Sequence, residues 1–315
     1  MGLLDKRISY KPFEYPEVMQ FIEAINKSFW VHSEVDFTAD IQDFKTNLSD
    51  KEREVVKRSL LSIAQVEVGV KTFWGNLYNM FPKPEMNGLG STFSENEFRH
   101  SEAYSQLIEV LGYTKEFEEI INIPVFQKKL EFINWNLSEA SNPVAKLLFF
   151  TIVIENSSLF SQFANILSFT RFKGYMKNVS NIIAWTSVDE QTHANAGVYL
   201  LNILQKEGHI INEDHLKHAI RDYIDQEFEL LNWIYEKGEL DFFTKQDMLN
   251  FMKYRVDESL VKLGFSKLFN ITQEDYSPMK WFEEDVFANE LDDFFAKRPT
   301  AYTKHDKSIN SNDLF

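Results

Sequence analysis

The chain has 315 residues, of which 44% are hydrophobic and 26% charged, and its formal net charge is −15 at pH 7. The 29 Phe and 6 Trp residues can fill a large core, and only 11 Gly and 8 Pro favour long helices over many short strands. The acidic balance argues against a nucleic-acid partner, because phosphate binding needs clustered Lys and Arg. The chain has no cysteine, which excludes disulfides, zinc–thiolate sites, iron–sulfur clusters and thiol catalysis within it.

The N-terminal residues carry no recognisable targeting signal. Residues 1–18 lack an apolar core of signal-peptide length, and no run of about 18 consecutive apolar residues occurs along the chain. We therefore expect a soluble, cytoplasmic protein with no membrane partner.

Two long helices are predicted in the first third of the chain. A serine cap opens a helix over 49–81, which stops at Pro82. Residues 83–91 contain one Pro and two Gly and predict a break. A second helix then runs over 93–112 and ends at a glycine.

Four more helices are predicted further along the chain. The third long helix covers 142–169, with Pro at a tolerated first-turn position, and the fourth covers 176–205. Two shorter helices near 213–237 and 244–269 are expected to buttress the long ones. The pattern predicts an all-α protein.

The last 25 residues differ from the rest of the chain. Residues 291–315 are polar, show no apolar stripe and end in Leu314-Phe315. Such an end is either a frayed terminus or a flexible segment that docks on a partner. We divide the chain into a helical domain, 1–290, and a flexible C-terminal tail, 291–315.

Two Glu-x-x-His pairs lie inside predicted helices: Glu97 with His100, and Glu190 with His193. Residues three apart share a helix face, so each pair can present a carboxylate and an imidazole to one ion. A single pair of this kind is weak evidence for a metal site.

The other two long helices each place a glutamate in an apolar stripe: Glu67 in the first and Glu155 in the third. A buried carboxylate costs several kcal/mol unless it is paired or metal-bound. For either glutamate alone, a buried ion pair with Lys or Arg is a better explanation than a metal site.

Together, the order Glu, Glu-x-x-His, Glu, Glu-x-x-His on four successive helices is far more specific. It is the ligand set of ferritin-like bundles that hold two metal ions between carboxylates. Four carboxylates and two imidazoles suit iron or manganese better than zinc. The sequence therefore predicts a ferritin-like helical bundle with a buried di-metal carboxylate site.

Three further residues are candidates for redox chemistry near such a site. Tyr104 follows His100 by one turn, about 6 Å along the helix axis, although a core tyrosine explains it as well. Asp189 directly precedes Glu190 and is placed to hydrogen-bond the outer nitrogen of His100. Trp30 precedes the bundle, and a lone Trp is usually a core residue.

Four segments resemble one known family, the class I ribonucleotide reductase β subunits. ENEFRHSEAY resembles that family's Glu-x-x-His-x-x-x-Tyr segment, and SVDEQTH its Asp-Glu-x-x-His segment. FWVHSEVDFTAD resembles its N-terminal Trp segment, and IENSSLFSQFA the helix that carries its third carboxylate. The resemblance spans about residues 20–200 and extends to the tail.

The resemblance implies a metal site and a radical path. Trp30, Asp189 and His100 would form the start of radical transfer, and Tyr302 would relay the oxidising equivalent in the tail. The ligands of the two ions would be Glu67, Glu97 and His100 for one and Glu155, Glu190 and His193 for the other.

The resemblance also implies the partners. The family is homodimeric, and its α subunit would bind the tail around Leu314 and Phe315. The radical passed to a cysteine of α would start reduction of ribonucleoside diphosphates for deoxyribonucleotide synthesis. The absence of cysteine and of a glycine-rich phosphate loop from this chain fits that division of labour.

Many members of the family have Asp as the first ligand, whereas Glu67 stands here with Lys71 one turn beyond it. This resembles subclass Id, which uses two manganese ions and superoxide and keeps its oxidant on the metals as Mn(IV)/Mn(III). Lys71 either neutralises the carboxylates or donates a hydrogen bond or proton to the oxidant. Leu159 replaces a common Phe, so Tyr104 would not be the stored radical. Fe/Fe and Mn/Fe pairs remain alternatives on these ligands.

Two other functions share this ligand set. A di-iron oxygenase or desaturase would oxidise an organic substrate in its own pocket and would need neither the Trp30 relay nor a docking tail. An iron-storage or ferroxidase bundle would be shorter and would not need Tyr302.

Overall fold

The computed structural model describes residues 2–137 and 142–287, and within these ranges it contains helices and no strand. The predicted all-α fold is thereby confirmed. The predicted tail, 291–315, with Tyr302 lies outside the described residues, as does the domain boundary at residue 290.

Eight longer helices in the described residues form the body of the protein. They are α1 (Val18–Lys27), α2 (Asp50–Gly75), α3 (Pro84–Leu111), α4 (Pro124–Asn136), α5 (Pro143–Lys173), α6 (Lys177–Lys206), α7 (Glu213–Ile234) and α8 (Lys245–Lys262). Shorter helical segments are Thr38–Gln42, Leu77–Met80, Thr114–Glu119, Gln273–Tyr276 and Lys280–Val286.

Helices α2, α3, α5 and α6 pack side by side as a four-helix bundle, and α7 and α8 cover its outer side. The predicted start of α2 is confirmed by a capping box, in which the side chains of Ser49 and Glu52 each bind the other residue's backbone N–H. The ends of α6 agree with the prediction to within one residue.

The predicted break at 83–91 is wrong, because α3 begins at Pro84 and continues through this segment. Proline is tolerated in the first turn of a helix. Gly90 serves close packing instead of a turn: a Cβ there would lie 2.5 Å from the carbonyl oxygen of Trp74. The predicted first helix, in turn, ends at Gly75, and Leu77–Met80 forms a separate turn.

The sequence pattern predicted one regular helix here. Helix α5 is instead interrupted, because residues Phe150–Ser158 form a wide π-helical segment. All nine residues of this segment are buried. Gly197 of α6 lets the two helices approach here, since a Cβ would overlap the side chain of Thr151. A π-helical segment inside an α-helix frequently marks a functional site.

Helix α5 is also long and apolar enough to cross a membrane by length and composition. However, 83% of its most apolar window is buried inside the protein. The apolar surface of α5 is therefore used in the core of the bundle.

Candidate metal centre

The four bundle helices bring all six predicted metal ligands together at the centre of the bundle. Helix α2 supplies Glu67, and the π-helical segment of α5 supplies Glu155. Helices α3 and α6 supply the two Glu-x-x-His pairs. Every one of the six side chains is at most 1% exposed.

The ligands form two overlapping groups whose ligand atoms lie within 4.8 Å of one another. The two glutamates shared by both groups are suited to bridge two ions. Group A consists of Glu67, Glu97, His100 and Glu190, and group B consists of Glu97, Glu155, Glu190 and His193.

The imidazole of His100 faces group A with one nitrogen and the Trp30 side with the other. Its Nδ1 lies 3.0 Å from Glu97 Oε2 and 3.2 Å from Glu190 Oε1. Its Nε2 lies 3.1 Å from Asp189 Oδ2. The Asp189 carboxylate thus orients the ring so that Nδ1 is available to an ion.

The imidazole of His193 faces group B with its Nδ1, but the surroundings of its outer nitrogen, Nε2, differ from those in His100. Its Nδ1 lies 2.8 Å from Glu97 Oε1 and 2.9 Å from Glu190 Oε2. Its Nε2 makes no hydrogen bond within the described residues. The ring lies instead against Phe93, with the ring centroids 4.1 Å apart.

Burial and mutual repulsion dominate the electrostatics of the centre. Burial, followed by the charge of Glu97, raises the pKa of Glu67 well above its ordinary value. Burial and the charge of Glu190 do the same to the pKa of Glu155. These two carboxyls therefore hold protons more readily than free glutamic acid.

The histidines carry the compensating positive charge. Burial acts to lower the pKa of His100 and His193, but the neighbouring carboxylates raise both well above the ordinary value. Burial acts to raise the pKa of Glu190, but the hydrogen bonds from both imidazoles lower it below the ordinary value. In the protein without metal ions, protons on these histidines and carboxyls thus supply the positive charge that bound cations would supply.

The residues present fit a pair of metal ions. Both oxygens of Glu67 and one of Glu155 are buried without a hydrogen bond to any described residue. Buried carboxylate oxygens of this kind are costly unless a cation binds them. Four carboxylates and two neutral imidazoles would balance the charge of two divalent ions, and oxygen-rich ligands with two imidazoles suit iron or manganese.

A hydrogen-bonded relay connects group A to Trp30. Asp189 Oδ2 accepts hydrogen bonds from Trp30 Nε1 at 2.8 Å and from Asn96 Nδ2 at 3.0 Å, beside His100 Nε2. The Trp30 ring also stacks on His100, with centroids 5.6 Å apart and 14° between the planes. The structure therefore brings the three predicted relay residues into direct contact.

Comparisons with known proteins identify the family. The family model described as "Ribonucleotide reductase, small chain" matches residues 7–278. The chain belongs to the ribonucleotide reductase small-chain family. A probable ribonucleoside-diphosphate reductase small subunit of Invertebrate iridescent virus 3 is 25% identical over 326 residues, covering 96% of this chain and 86% of the viral protein.

Two solved structures share the fold of this small chain. Dimanganese(II)-NrdF of Streptococcus sanguinis superposes with a TM-score of 0.74 at 20% identity, covering 87% of this chain and 98% of that one. The ribonucleotide reductase Rnr4 homodimer of Saccharomyces cerevisiae gives a TM-score of 0.73 at 20% identity, covering 90% and 92%.

Tyr104 and Lys71 occupy different environments in the small chain. Tyr104 is fully buried, and its hydroxyl makes no hydrogen bond within the described residues. Burial, followed by the charge of Glu67, raises the pKa of Tyr104 well above its ordinary value. Lys71 is half-buried, and its ammonium forms no ion pair with any carboxylate that the structure describes.

Three residues that sequence reasoning missed also contact the candidate metal centre or its backbone. Asn96 directly precedes the predicted ligand Glu97, and this adjacency was its only signal. Trp74 donates from Nε1 to Glu155 Oε1 at 2.7 Å. Arg255 of α8 donates from Nε to the backbone carbonyl of Asn156 at 2.7 Å, directly after Glu155. The last two contacts join different helices, so the spacing of residues within one helix does not indicate them.

Proposed function

We propose that this protein is the β subunit of a ribonucleoside-diphosphate reductase and supplies the oxidising equivalent that starts nucleotide reduction on a larger α subunit. The observation that carries the proposal is the Trp30–Asp189–His100 relay, which leads away from a buried di-metal centre. The related viral protein is named a probable ribonucleoside-diphosphate reductase small subunit. The chain has no cysteine, so the thiol chemistry of nucleotide reduction belongs to the partner.

Each relay residue has a distinct task in this proposal. Asp189 accepts a hydrogen bond from the protonated Nε2 of His100 and so keeps Nδ1 directed at group A. The same carboxylate holds the indole N–H of Trp30. Asn96 donates to that carboxylate as well, which keeps its orientation fixed. An electron from Trp30 can therefore reach the centre through hydrogen-bonded and stacked groups.

The two ions in this proposal are manganese, as in subclass Id. They supply the one-electron oxidant when bound. Two observations support manganese: a glutamate, Glu67, stands at the first ligand position, and the Streptococcus sanguinis protein of the same fold is named as a dimanganese(II) protein. Fe/Fe and Mn/Fe pairs are the alternatives that the metal experiment below separates.

Lys71 is proposed to donate a hydrogen bond or proton to an anionic oxidant such as superoxide. Its half-buried position, one turn beyond Glu67 on α2, supports access from the surface. If Lys71→Met protein loaded with manganese still activates normally with superoxide, this role is wrong. Lys71→Arg keeps the charge and is the matched control.

A second copy of the chain is proposed to cover part of the α2–α3 face. Ser94 of α3 donates to the backbone carbonyl of Lys71 at 3.1 Å, which fixes the antiparallel register of the two helices. That register places Phe98 level with Val68, and these two apolar side chains are 53% and 55% exposed. The yeast structure of the same fold is named a homodimer. Sedimentation of Val68→Glu/Phe98→Glu protein tests this, with monomer expected.

The α subunit is proposed to bind the C-terminal tail, with Tyr302 as the relay to it. The test is co-purification with the α subunit before and after deletion of the last ~20 residues, a docking segment of the kind that orders on binding. Deletion is expected to abolish both binding and nucleotide reduction while leaving metal content unchanged. The docking role is wrong if the deletion changes neither.

The metal experiment loads the metal-free protein anaerobically with Mn(II) or Fe(II) and then adds O₂ or superoxide. EPR spectra and metal analysis follow each combination. A metal-centred signal that appears with Mn(II) and superoxide is the expected result. A tyrosyl signal with Fe(II) and O₂ would overturn the manganese assignment and leave the family unchanged.

A further inference from the structure

Trp30 marks the end of the relay inside the folded domain. Its indole N–H is held by Asp189, and its backbone carbonyl accepts a hydrogen bond from Arg99 Nη1 at 2.9 Å. The side chain is only 2% exposed. A partner protein therefore cannot contact the Trp30 ring directly, and an oxidising equivalent on Trp30 needs a further step to reach the surface.

Trp185 lies where such a step is possible. Its ring centroid is 5.6 Å from that of Trp30, with 43° between the planes. This equals the 5.6 Å separation between Trp30 and His100. Trp185 is half-buried and therefore reaches the protein surface. It stands on α6 one turn before Asp189, so a single rigid helix sets its distance to the relay.

We propose that Trp185 is the outer member of a redox chain, His100–Trp30–Trp185, and that the oxidising equivalent leaves the folded domain from Trp185. The proposal rests on the proposed function, because it extends the Trp30 relay. The Trp185 ring lies beside that of Trp30 and is partly exposed to solvent, and indole is among the most easily oxidised side chains.

The step is a one-electron exchange between two indoles. Trp30, once it has been oxidised by the metal ions that groups A and B would hold, would take one electron from Trp185. Trp30 returns to its closed-shell form, and Trp185 becomes the radical cation. No proton needs to move, because the indole N–H of Trp30 stays in its hydrogen bond to Asp189. Trp185 is then reduced by a redox-active side chain of the α subunit or the tail.

A photochemical experiment tests the exchange in the metal-free protein. The chain has no cysteine, so Asn181→Cys, at an exposed position one turn before Trp185, offers one attachment site for a ruthenium polypyridyl photo-oxidant. After a flash, transient absorption follows the oxidised indoles. We expect two phases, rapid oxidation of Trp185 and a slower exchange with Trp30. Trp185→Phe should lose the rapid phase, and Trp30→Phe should lose only the slower one.

A second experiment measures nucleotide reduction by the metal-loaded protein with the α subunit. Trp185→Phe should lose most of the activity, while Trp185→Tyr should restore part of it, because tyrosine can be oxidised and phenylalanine cannot. A structural role would lower the melting temperature of Trp185→Phe, whereas loss of the redox step lowers nucleotide reduction at an unchanged melting temperature. Trp135→Phe is the matched control, since Trp135 is 68% exposed and lies outside the relay. Thermal melting checks that each variant folds.

The outcomes separate this proposal from the proposed function. If Trp185→Phe keeps both the two-phase photochemistry and full nucleotide reduction, Trp185 has no redox role. If Trp30→Phe in the same assay abolishes reduction, the relay stands and only the Trp185 step is overturned. If Trp30→Phe also retains full reduction, the relay itself, and with it the proposed function, is wrong.

Discussion

Groups A and B use the same ligand types and share two glutamates, yet their outer surroundings differ. In group A, the outer nitrogen of His100 is bound by Asp189, which continues into Trp30. In group B, the outer nitrogen of His193 makes no hydrogen bond to described residues, and its ring lies against Phe93. Group A is therefore linked to Trp30 by hydrogen bonds, whereas His193 of group B faces an apolar ring.

The backbone around the two groups differs as well. The group A ligands stand on regular α-helices, where hydrogen bonds within the helix define each position. Glu155 of group B stands on the π-helical segment, which residues of neighbouring helices bind. Trp74 binds the side chain of Glu155, and Arg255 binds the backbone carbonyl of Asn156. In the proposed function, group A therefore stands at the start of the relay, whereas the position of Glu155 in group B depends on contacts from outside its own helix.

The largest expected effect comes from removing a shared ligand. Glu190→Ala should abolish tight binding of both Mn(II) ions, because the carboxylate lies in both groups. Glu67→Ala should remove only the group A ion and leave about one ion per chain, since Glu67 belongs to group A alone. Calorimetric titration with Mn(II) measures the stoichiometry. Exposed Glu102 on α3 supplies the control, Glu102→Ala, which should bind two ions. Equal stoichiometry for Glu67→Ala and Glu190→Ala would contradict the division into two groups.

The second prediction concerns the pH dependence of the metal-free protein. The raised pKa values of His100, His193, Glu67 and Glu155 mean that the folded chain binds more protons than the unfolded chain. Stability then falls as pH rises, because the slope follows the protons bound by the unfolded state minus those bound by the folded state. The lowered pKa of Glu190 acts oppositely, but only below its ordinary value of 4.5.

The stability that the two protonated histidines contribute begins to be lost above their ordinary pKa of 6.5. The loss continues as pH rises through their pKa values in the folded protein. Urea midpoints of the metal-free protein should therefore decrease from pH 6 to pH 9. The Mn(II)-loaded protein should show a flatter curve, because the ions replace the protons. A midpoint of the metal-free protein that rises with pH would show that the centre is not protonated as described.

The third prediction breaks the asymmetry between the two histidines. Asp189→Ala leaves the outer nitrogen of His100 as unsupported as that of His193. Loss of such an outer partner costs about 10- to 100-fold in metal affinity, so the group A ion should weaken by that factor. The group B ion should be unaffected, and nucleotide reduction should be lost. Mn(II) titration followed by EPR resolves the two ions. Equal weakening of both would show that Asp189 supports the whole bundle instead of one ligand.

Much of this centre was predictable from the sequence, for a physical reason. A regular α-helix repeats every 3.6 residues, so the Glu97/His100 spacing and the apolar stripe around Glu67 directly indicate which side chains share a face. The cysteine-free composition and the acidic helices agreed with that pattern. These steps depend on spacing within one helix, whereas the Asp189–His100 contact between helices was expected because a carboxylate commonly binds the outer nitrogen of a metal-binding imidazole.

The unpredicted features all depend on contacts between helices. The π-helical segment 150–158 is buried on every side, so its apolar residues form no stripe from which a change in helical register could be detected. Gly90 indicated a break, whereas its role is to let Trp74 approach. Trp74 and Arg255 lie 81 and 99 residues from their partners in α5. Only the fold brings such distant residues together.

The smallest expected effect concerns the support of the π-helical segment. Burial lowers the pKa of Arg255 to about 10, so its guanidinium remains protonated at neutral pH. It binds the backbone carbonyl of Asn156, whose side chain returns a hydrogen bond to the Arg255 carbonyl at 2.9 Å.

Arg255→Met removes the donors and should weaken the group B ion by less than about tenfold, since Arg255 acts only through the backbone that carries Glu155. Arg255→Lys keeps one donor and should recover part of the affinity. Because group A has no π-helical ligand, its ion should be unchanged in both variants. If the group A ion weakens equally in a Mn(II) titration, Arg255 stabilises the bundle as a whole, and the contrast in backbone support between the two groups is wrong.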